Sequence, residues 1–384
     1  DIHGEWSDPI TIDQDGIDPS LYFEDGRAFF ISNGTDCEGK GGVVQCEINI
    51  ETGEKLTESR CIWQGSGGRY LESPHMYKIG KYYYLMAAEG GTEYGHMITY
   101  ARSESVWGKF EGYPHNPVLT NRNKAPFIIQ GIGHGDLIQD KNGEWHIICL
   151  GFRQIHMWMT YHHLGRECFL IPVTFHEDGW FTAGNGTCEE SYELSGDFAQ
   201  LPLKTYTLEN IGHDICHLRH PHTENYSITK DKITLKGTDV TLDDVDSPTF
   251  TGVRQRDFDM DCSVSVSVSD GEGGLTVYSC ETEHYDLAVR KNEGGYEAIL
   301  RLNIGGIRHI EKAVQIPSGD AKLIIRSDSQ VYKFFVQSQG KEMPMGFAMS
   351  KYLSSEVCGG FTGTVIGMYA VKGSAEFTDL RISY

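Results

Sequence analysis

Short apolar and aromatic runs, broken by Gly, Asp and Asn turns, recur along the whole chain; Ile147 to Gly151 and Phe169 to Val173 are examples, and both are strand-sized. No stretch of helix length keeps a 3.6-residue apolar period, so the pattern predicts an all-β fold. The style of strand changes part-way. All six Trp lie before residue 181, whereas the second half shows shorter alternating strands such as Cys262 to Val268, Leu275 to Tyr278 and Ala321 to Ile325. That step, beside the turn-like Leu194-Ser-Gly-Asp and Leu201-Pro-Leu, predicts two domains, 1–200 and 201–384. The apolar runs are far short of the roughly 20 residues that cross a bilayer as a helix, which argues against a membrane span.

The first half repeats itself. Asp18-Pro-Ser-Leu-Tyr-Phe is echoed by Glu72-Ser-Pro-His-Met-Tyr and by His134-Gly-Asp-Leu-Ile-Gln, each followed by a Gly turn and an aromatic strand. The polar leaders fall at positions 18, 72 and 134, a period near the roughly 40 to 50 residues of a four-stranded propeller blade. A blade begins with its innermost strand, so the leaders are expected together at the mouth of a central channel. A fourth unit is expected from Gly165-Arg166-Glu167 to Trp180. On this reading the first domain is a propeller entered near the inner strand of its first visible blade, with another blade expected upstream of Asp1.

Composition narrows the partners. With 33 Lys and Arg against 54 Asp and Glu, the net charge of −21 disfavours nucleic acid and anionic membranes, and a neutral ligand such as a sugar fits better. The ten Cys lack the close paired spacing of zinc or redox motifs and read mostly as buried thiols. Sequons at Asn33, Asn185 and Asn225 pull weakly toward secretion. The start at Asp1, with neither Met nor a signal-like stretch, implies that preceding residues were removed.

Two carboxylates flanking a glycosidic bond can hydrolyse it, and Glu72 and Asp18 are the candidates because the repeat carries both to the channel. The apolar and aromatic neighbours of Glu72 in Tyr70-Leu-Glu-Ser-Pro-His-Met-Tyr should desolvate it and raise its pKa, as a proton donor needs. The competing reading of Glu72 is a solvated charge at a strand start; that of Asp18, followed by Pro19, is a turn initiator. His134, between two glycines, can project into the channel or be a structural histidine. Arg166 can fork onto sugar hydroxyls or pair with Glu167.

Together Glu72-Ser-Pro-His-Met-Tyr, Tyr82-Tyr-Tyr-Leu-Met-Ala-Ala-Glu-Gly-Gly, Ala101-Arg-Ser, Gly133-His-Gly-Asp-Leu and His163-Leu-Gly-Arg-Glu resemble glycoside hydrolase family 43. Ser247-Pro-Thr-Phe-Thr-Gly-Val-Arg and Gly360-Phe-Thr-Gly-Thr-Val extend the resemblance to the β-xylosidases of that family that carry a C-terminal sandwich. The resemblance implies a five-bladed β-propeller followed by a concanavalin-like β-sandwich, and an exo-acting, inverting β-xylosidase that releases xylose from xylo-oligosaccharides. An α-L-arabinofuranosidase is the related alternative, and a non-catalytic carbohydrate-binding protein the alternative from another class. It also implies Glu72 as general acid, Asp18 as the carboxylate that tunes it, and Arg166 in the terminal-sugar subsite. Phe361 would be a sandwich-borne wall of the pocket, against an ordinary core aromatic, and His134 the ligand of a divalent cation such as Ca²⁺ largely completed by water. No other cofactor is implied. One departure stands out: the family's general base, an Asp-Pro aspartate of the first blade, has no counterpart here, since Asp8-Pro9 matches the approach to the second blade. A base from a separate N-terminal fragment is therefore expected, and a homo-oligomer is compatible with the chain.

Overall fold

The computed structural model describes residues 3–155, 158–193 and 205–384. Almost every element is a β-strand, and the chain divides into two compact units, residues 1–153 with 167–196, and 154–166 with 197–384. The segment from Leu194 to Lys204, where the sequence puts the domain step, lies outside the described residues.

The first unit contains three antiparallel four-stranded sheets among its described residues. The first runs β1 (Ile17–Glu24), β2 (Arg27–Thr35), β3 (Gly41–Ile48), β4 (Arg60–Trp63); the second β5 (Glu72–Ile79), β6 (Tyr82–Glu89), β7 (Met97–Ser103), β8 (Glu111–Gly112). The third runs β9 (Ile129–Gln139), β10 (Trp145–Arg153), β11 (Glu167–Phe175), β12 (Phe181–Ala183). Each is a meander in chain order, the form of a propeller blade.

A blade packs on both faces, which explains why β6 is apolar at consecutive positions rather than alternating. Tyr83, Leu85 and Ala87 pack with Phe29, Ile31 and Val43 of the first blade, while Tyr84 and Met86 pack with Ile147, Ile171 and Phe181 of the third. Tyr100 seals the second contact: its ring stacks on Phe181 at 3.9 Å, and its hydroxyl both donates to the Phe181 carbonyl and accepts from the Phe181 amide at 2.8 Å.

The expected fourth unit is corrected by this pairing. Glu167–Phe175 is not an inner strand but the third strand of the third blade, paired with β10 from Glu167 to Val173. Between β10 and β11 the chain makes an excursion through residues 154–166, which belong to the second unit. The excursion separates two halves of one blade and makes them look like two repeats.

The second unit is a sandwich of a seven-stranded and a six-stranded sheet. Strand Met260–Val268 shows the rule of its construction: Met260, Cys262, Val264, Val266 and Val268 enter the core and the residues between them face away, the period of two that the sequence shows. No helix among the described residues is long and apolar enough to cross a membrane. All ten cysteines are free, but only Cys46, Cys149, Cys188 and Cys262 are buried.

Candidate active site

The three leaders meet. One donor atom from each of Asp18, Glu72 and His134 lies within 4.8 Å of the other two, although the residues come from the innermost strands of three different blades. Each of these strands carries a bulge at the meeting point: two residues, 18–19, 73–74 and 134–135, oppose one on the neighbouring strand. The first residue of each bulge is left-handed, Asp18 at φ 51°, Ser73 at 53° and His134 at 47°. A non-glycine residue held there costs about 1–3 kcal/mol, and such bulges re-aim side chains at the rims of sheets.

This register corrects the alignment of the repeats by one residue. Ser73, not Glu72, occupies the blade position of Asp18 and His134, and Glu72 stands just before the bulge as the first residue of β5. Matching Pro19 to Pro74, instead of acid to acid, would have found it in the sequence. The consequence is a direct tie: the Ser73 amide donates to Oδ2 of Asp18 at 3.1 Å, and the Ser20 hydroxyl donates to the Pro74 carbonyl at 2.5 Å. The inner strands of the first two blades are thus stitched beside the two carboxylates.

Glu72 is half-buried, and its pKa is raised, first by burial and then by the negative charge of Asp18, with His134 pulling the other way. Burial and the neighbouring negative charge both disfavour the ionised form of Glu72. Nearby, Asp136 accepts from the Tyr77 hydroxyl at 3.1 Å and lies 3.3 Å from Nδ1 of His75, whose pKa burial pushes down. This set joins the second and third blades.

Two buried residues outside the sequence-level candidates support the trio. Glu89, fully buried, accepts from the Ser66 amide and hydroxyl, the Gly68 amide and the Thr99 hydroxyl, and so holds the turn that leads into Glu72. The His96 ring, held by a 3.0 Å contact between Nδ1 and the Gly131 carbonyl, packs so closely under Gly133 that a Cβ there would come within 2.4 Å of it. Glycine beside His134 is thereby a steric requirement. Glu89 and His96 lie in the run from Tyr82 to His96 that carries part of the family resemblance, but no local pattern gives them a role, because their partners are brought up by the sheet.

Asp8 is exposed, and the segment after it packs on the outer part of the first blade, with Ile12 against Ala28, Cys46 and Ile48. In the second unit Arg166 and Phe361 come together: the Arg166 amide donates to the Phe361 carbonyl at 3.1 Å, and the guanidinium carbon lies 4.8 Å from the ring centre. Phe361 is 48 % exposed, so it is not a core aromatic. Glu167 is engaged by Arg153 in a bidentate pair with a shortest contact of 2.9 Å, so Arg166 is not needed to neutralise it.

Residues 1–181 match the model of glycosyl hydrolases family 43, and residues 204–381 match the β-xylosidase C-terminal concanavalin A-like domain. A non-reducing-end α-L-arabinofuranosidase of Bacteroides ovatus is 37 % identical over 380 residues, covering 96 % of this chain and 71 % of that protein. The chain belongs to glycosyl hydrolase family 43. This family 43 enzyme is also 28 % identical, over 96 % of its length and 76 % of the relative, to a xylosidase/arabinosidase of Butyrivibrio fibrisolvens. Among solved structures it superposes with a TM-score of 0.90 on a xylan β-1,4-xylosidase of Bacillus halodurans, at 27 % identity and covering 100 % of this chain and 79 % of that one. A second, from Bacteroides ovatus, gives 0.89 at 35 % identity, covering 99 % and 78 %. The family 43 chain is therefore a glycoside hydrolase with a propeller followed by a concanavalin-like sandwich.

A divalent cation tests the trio differently from a sugar. Two carboxylates and an imidazole within 4.8 Å can share an ion by distance. An ion held by all three would require Glu72 ionised, against the burial and the Asp18 charge that raise its pKa. Of the three, His134 is the side chain that could ligate a divalent cation without requiring Glu72 to ionise.

Proposed function

We propose that this glycoside hydrolase is an exo-acting, inverting β-xylosidase that releases xylose from the non-reducing ends of xylo-oligosaccharides. The observation that carries the chemistry is the Asp18–Glu72 pair, two carboxylates within 4.8 Å of which Glu72 is held toward its protonated form. Glu72 protonates the bridging oxygen as the bond to the leaving sugar breaks. Asp18 keeps that proton on Glu72 at the working pH and, anchored by the Ser73 amide, fixes its orientation. Arg166 forks onto hydroxyls of the terminal sugar, and Phe361 gives it an apolar wall.

Inversion needs a water between acid and base, and hence about 6.5–9.5 Å between their carboxyl groups. Asp18 is too close to Glu72 to be that base. By the resemblance, the base would be an Asp-Pro aspartate of another blade. His134 would hold a divalent cation such as Ca²⁺, whose contribution is a fixed positive charge in the channel; chelation should then lower activity and Ca²⁺ restore it, and an enzyme indifferent to both would make His134 structural.

The second reading is α-L-arabinofuranosidase activity, favoured by the 37 % identity to an enzyme of that name. Steady-state kinetics on an aryl β-xyloside and an aryl α-L-arabinofuranoside separate the two: kcat/KM should favour the xyloside, and a large preference for the arabinoside would replace the proposal. NMR of the first product formed from a β-xyloside tests the mechanism. α-Xylose is expected, whereas β-xylose would make Asp18 a nucleophile.

A further inference from the structure

Outside the channel, one other group of metal-ligating side chains converges among the described residues. One donor atom from each of Cys280, Glu283 and Cys358 lies within 4.8 Å of the others. Cys280 closes strand Glu272–Cys280 and Glu283 opens strand Glu283–Asn292, and the two are register partners across the hairpin, which sends their side chains to the same face of the sheet. Cys358, distant in sequence, is the last residue of the short helix Ser355–Cys358.

The carboxylate is buried and oriented. Its Oε1 accepts from the Gly305 amide at 3.0 Å; its Oε2 accepts from the Cys280 thiol at 2.8 Å and from the Thr282 hydroxyl. Cys358 lies 3.1 Å from the Ser279 hydroxyl and donates to the Ser354 carbonyl at 2.8 Å. Both thiols are partly exposed, so solvent reaches the cluster.

We propose that Cys280, Cys358 and Glu283 form a binding site for a thiophilic divalent cation of the Zn²⁺ type, with water as the fourth ligand. Two sulfurs and one carboxylate oxygen are a borderline-soft set, and Zn²⁺ takes such ligands in a tetrahedron at about 2.3 Å from sulfur and about 2.0–2.2 Å from oxygen. Tetrahedral ligands at those lengths stand roughly 3.4–3.8 Å apart, so closing the cluster takes side-chain movements of about an ångström. Binding releases the thiol protons to solvent. A Cys280–Cys358 disulfide is the competing outcome, but it would strip the buried Glu283 of its thiol donor, whereas a cation uses all three groups.

The site has a reach beyond itself. Cys358 is followed by Gly359 and Gly360, both left-handed (φ 70° and 73°), and then by Phe361, whose carbonyl is held by the Arg166 amide. An ion on Cys358 would pin the start of this otherwise glycine-hinged loop.

Reduced, chelator-treated protein titrated with Co²⁺ alone tests the proposal. One equivalent should produce a thiolate-to-cobalt charge-transfer band and the strong visible bands of tetrahedral Co²⁺, and one equivalent of Zn²⁺ should abolish them. The bands should be lost in Cys280→Ser and Cys358→Ser, weakened in Glu283→Gln, and kept in Cys37→Ser and Cys168→Ser, which alter the two exposed thiols. Zn²⁺ should also raise the unfolding temperature of the unmutated protein, a readout independent of whether the variants fold. Absence of the bands, their survival in both Cys280→Ser and Cys358→Ser, no thermal shift, or oxidation of these two thiols to a disulfide in a reduced protein that ignores Co²⁺ would each overturn it.

Discussion

The Ser73 amide donates a 3.1 Å hydrogen bond to Oδ2 of Asp18, joining the inner strands of two blades one residue away from Glu72. Through it, the orientation of the carboxylate that perturbs Glu72 is set by the backbone that carries Glu72. The two charges cannot drift apart without breaking a blade-to-blade contact.

Removing the Asp18 charge should move the alkaline limb of the activity profile. In its proposed role Glu72 donates a proton only while protonated, so activity should fall as pH rises through its pKa, which burial and then Asp18 raise. Asp18→Asn keeps an oxygen for the Ser73 amide but lowers that pKa, and the fall should begin at lower pH. An alkaline limb unchanged in kcat measured against pH would deny Asp18 this role.

Glu72→Gln should lower kcat by about 10²–10⁴ on substrates with poor leaving groups, the usual worth of a positioned acid. Aryl glycosides with acidic leaving groups need little protonation and should lose far less. A Brønsted series of aryl xylosides checks this, and equal losses across the series would take Glu72 out of proton donation.

Glu89→Gln should destabilise the first unit by about 1–3 kcal/mol, because the Ser66 and Gly68 amides donate to different oxygens of Glu89 and the new NH2 group must face one of them. The turn before Glu72 would loosen with it. Urea unfolding followed by Trp fluorescence reads the loss, and all six Trp precede residue 181.

Alkaline pH should weaken the sandwich through His284. Its Nδ1 lies 2.8 Å from Oδ1 of Asp286 and its Nε2 3.1 Å from Oδ1 of Asp243; burial pushes its pKa down, but the two carboxylates win and hold it at about 9. A folded pKa above the unfolded 6.5 means the stabilisation is complete below pH 6.5 and is lost as pH rises through 9. That contribution is on the order of 3 kcal/mol, since each tenfold gain in proton affinity on folding is worth about 1.4 kcal/mol. Unfolding midpoints between pH 6.5 and about 9 should therefore fall in the unmutated protein and stay flatter in His284→Gln.

The sequence by itself determined the elements and the chemistry that depends on them. Alternation as in Cys262 to Val268, aromatic runs such as Tyr82-Tyr-Tyr and glycine turns are local signals, and they were enough to read all-β architecture, sandwich strands and three polar leaders on three inner strands. The tertiary structure decided what strand pairing controls. Where a bulge falls is set by the neighbouring strand, so only pairing shows that Ser73 shares the blade position of Asp18 and His134 while Glu72 stands one residue before it. The excursion through residues 154–166 hid the unity of the third blade, because strands adjacent in space can be separated in sequence at little energetic cost. The meeting of Cys280 and Glu283 with Cys358 is of the same kind: a hairpin brings the first two together, but only the packed sandwich brings the third.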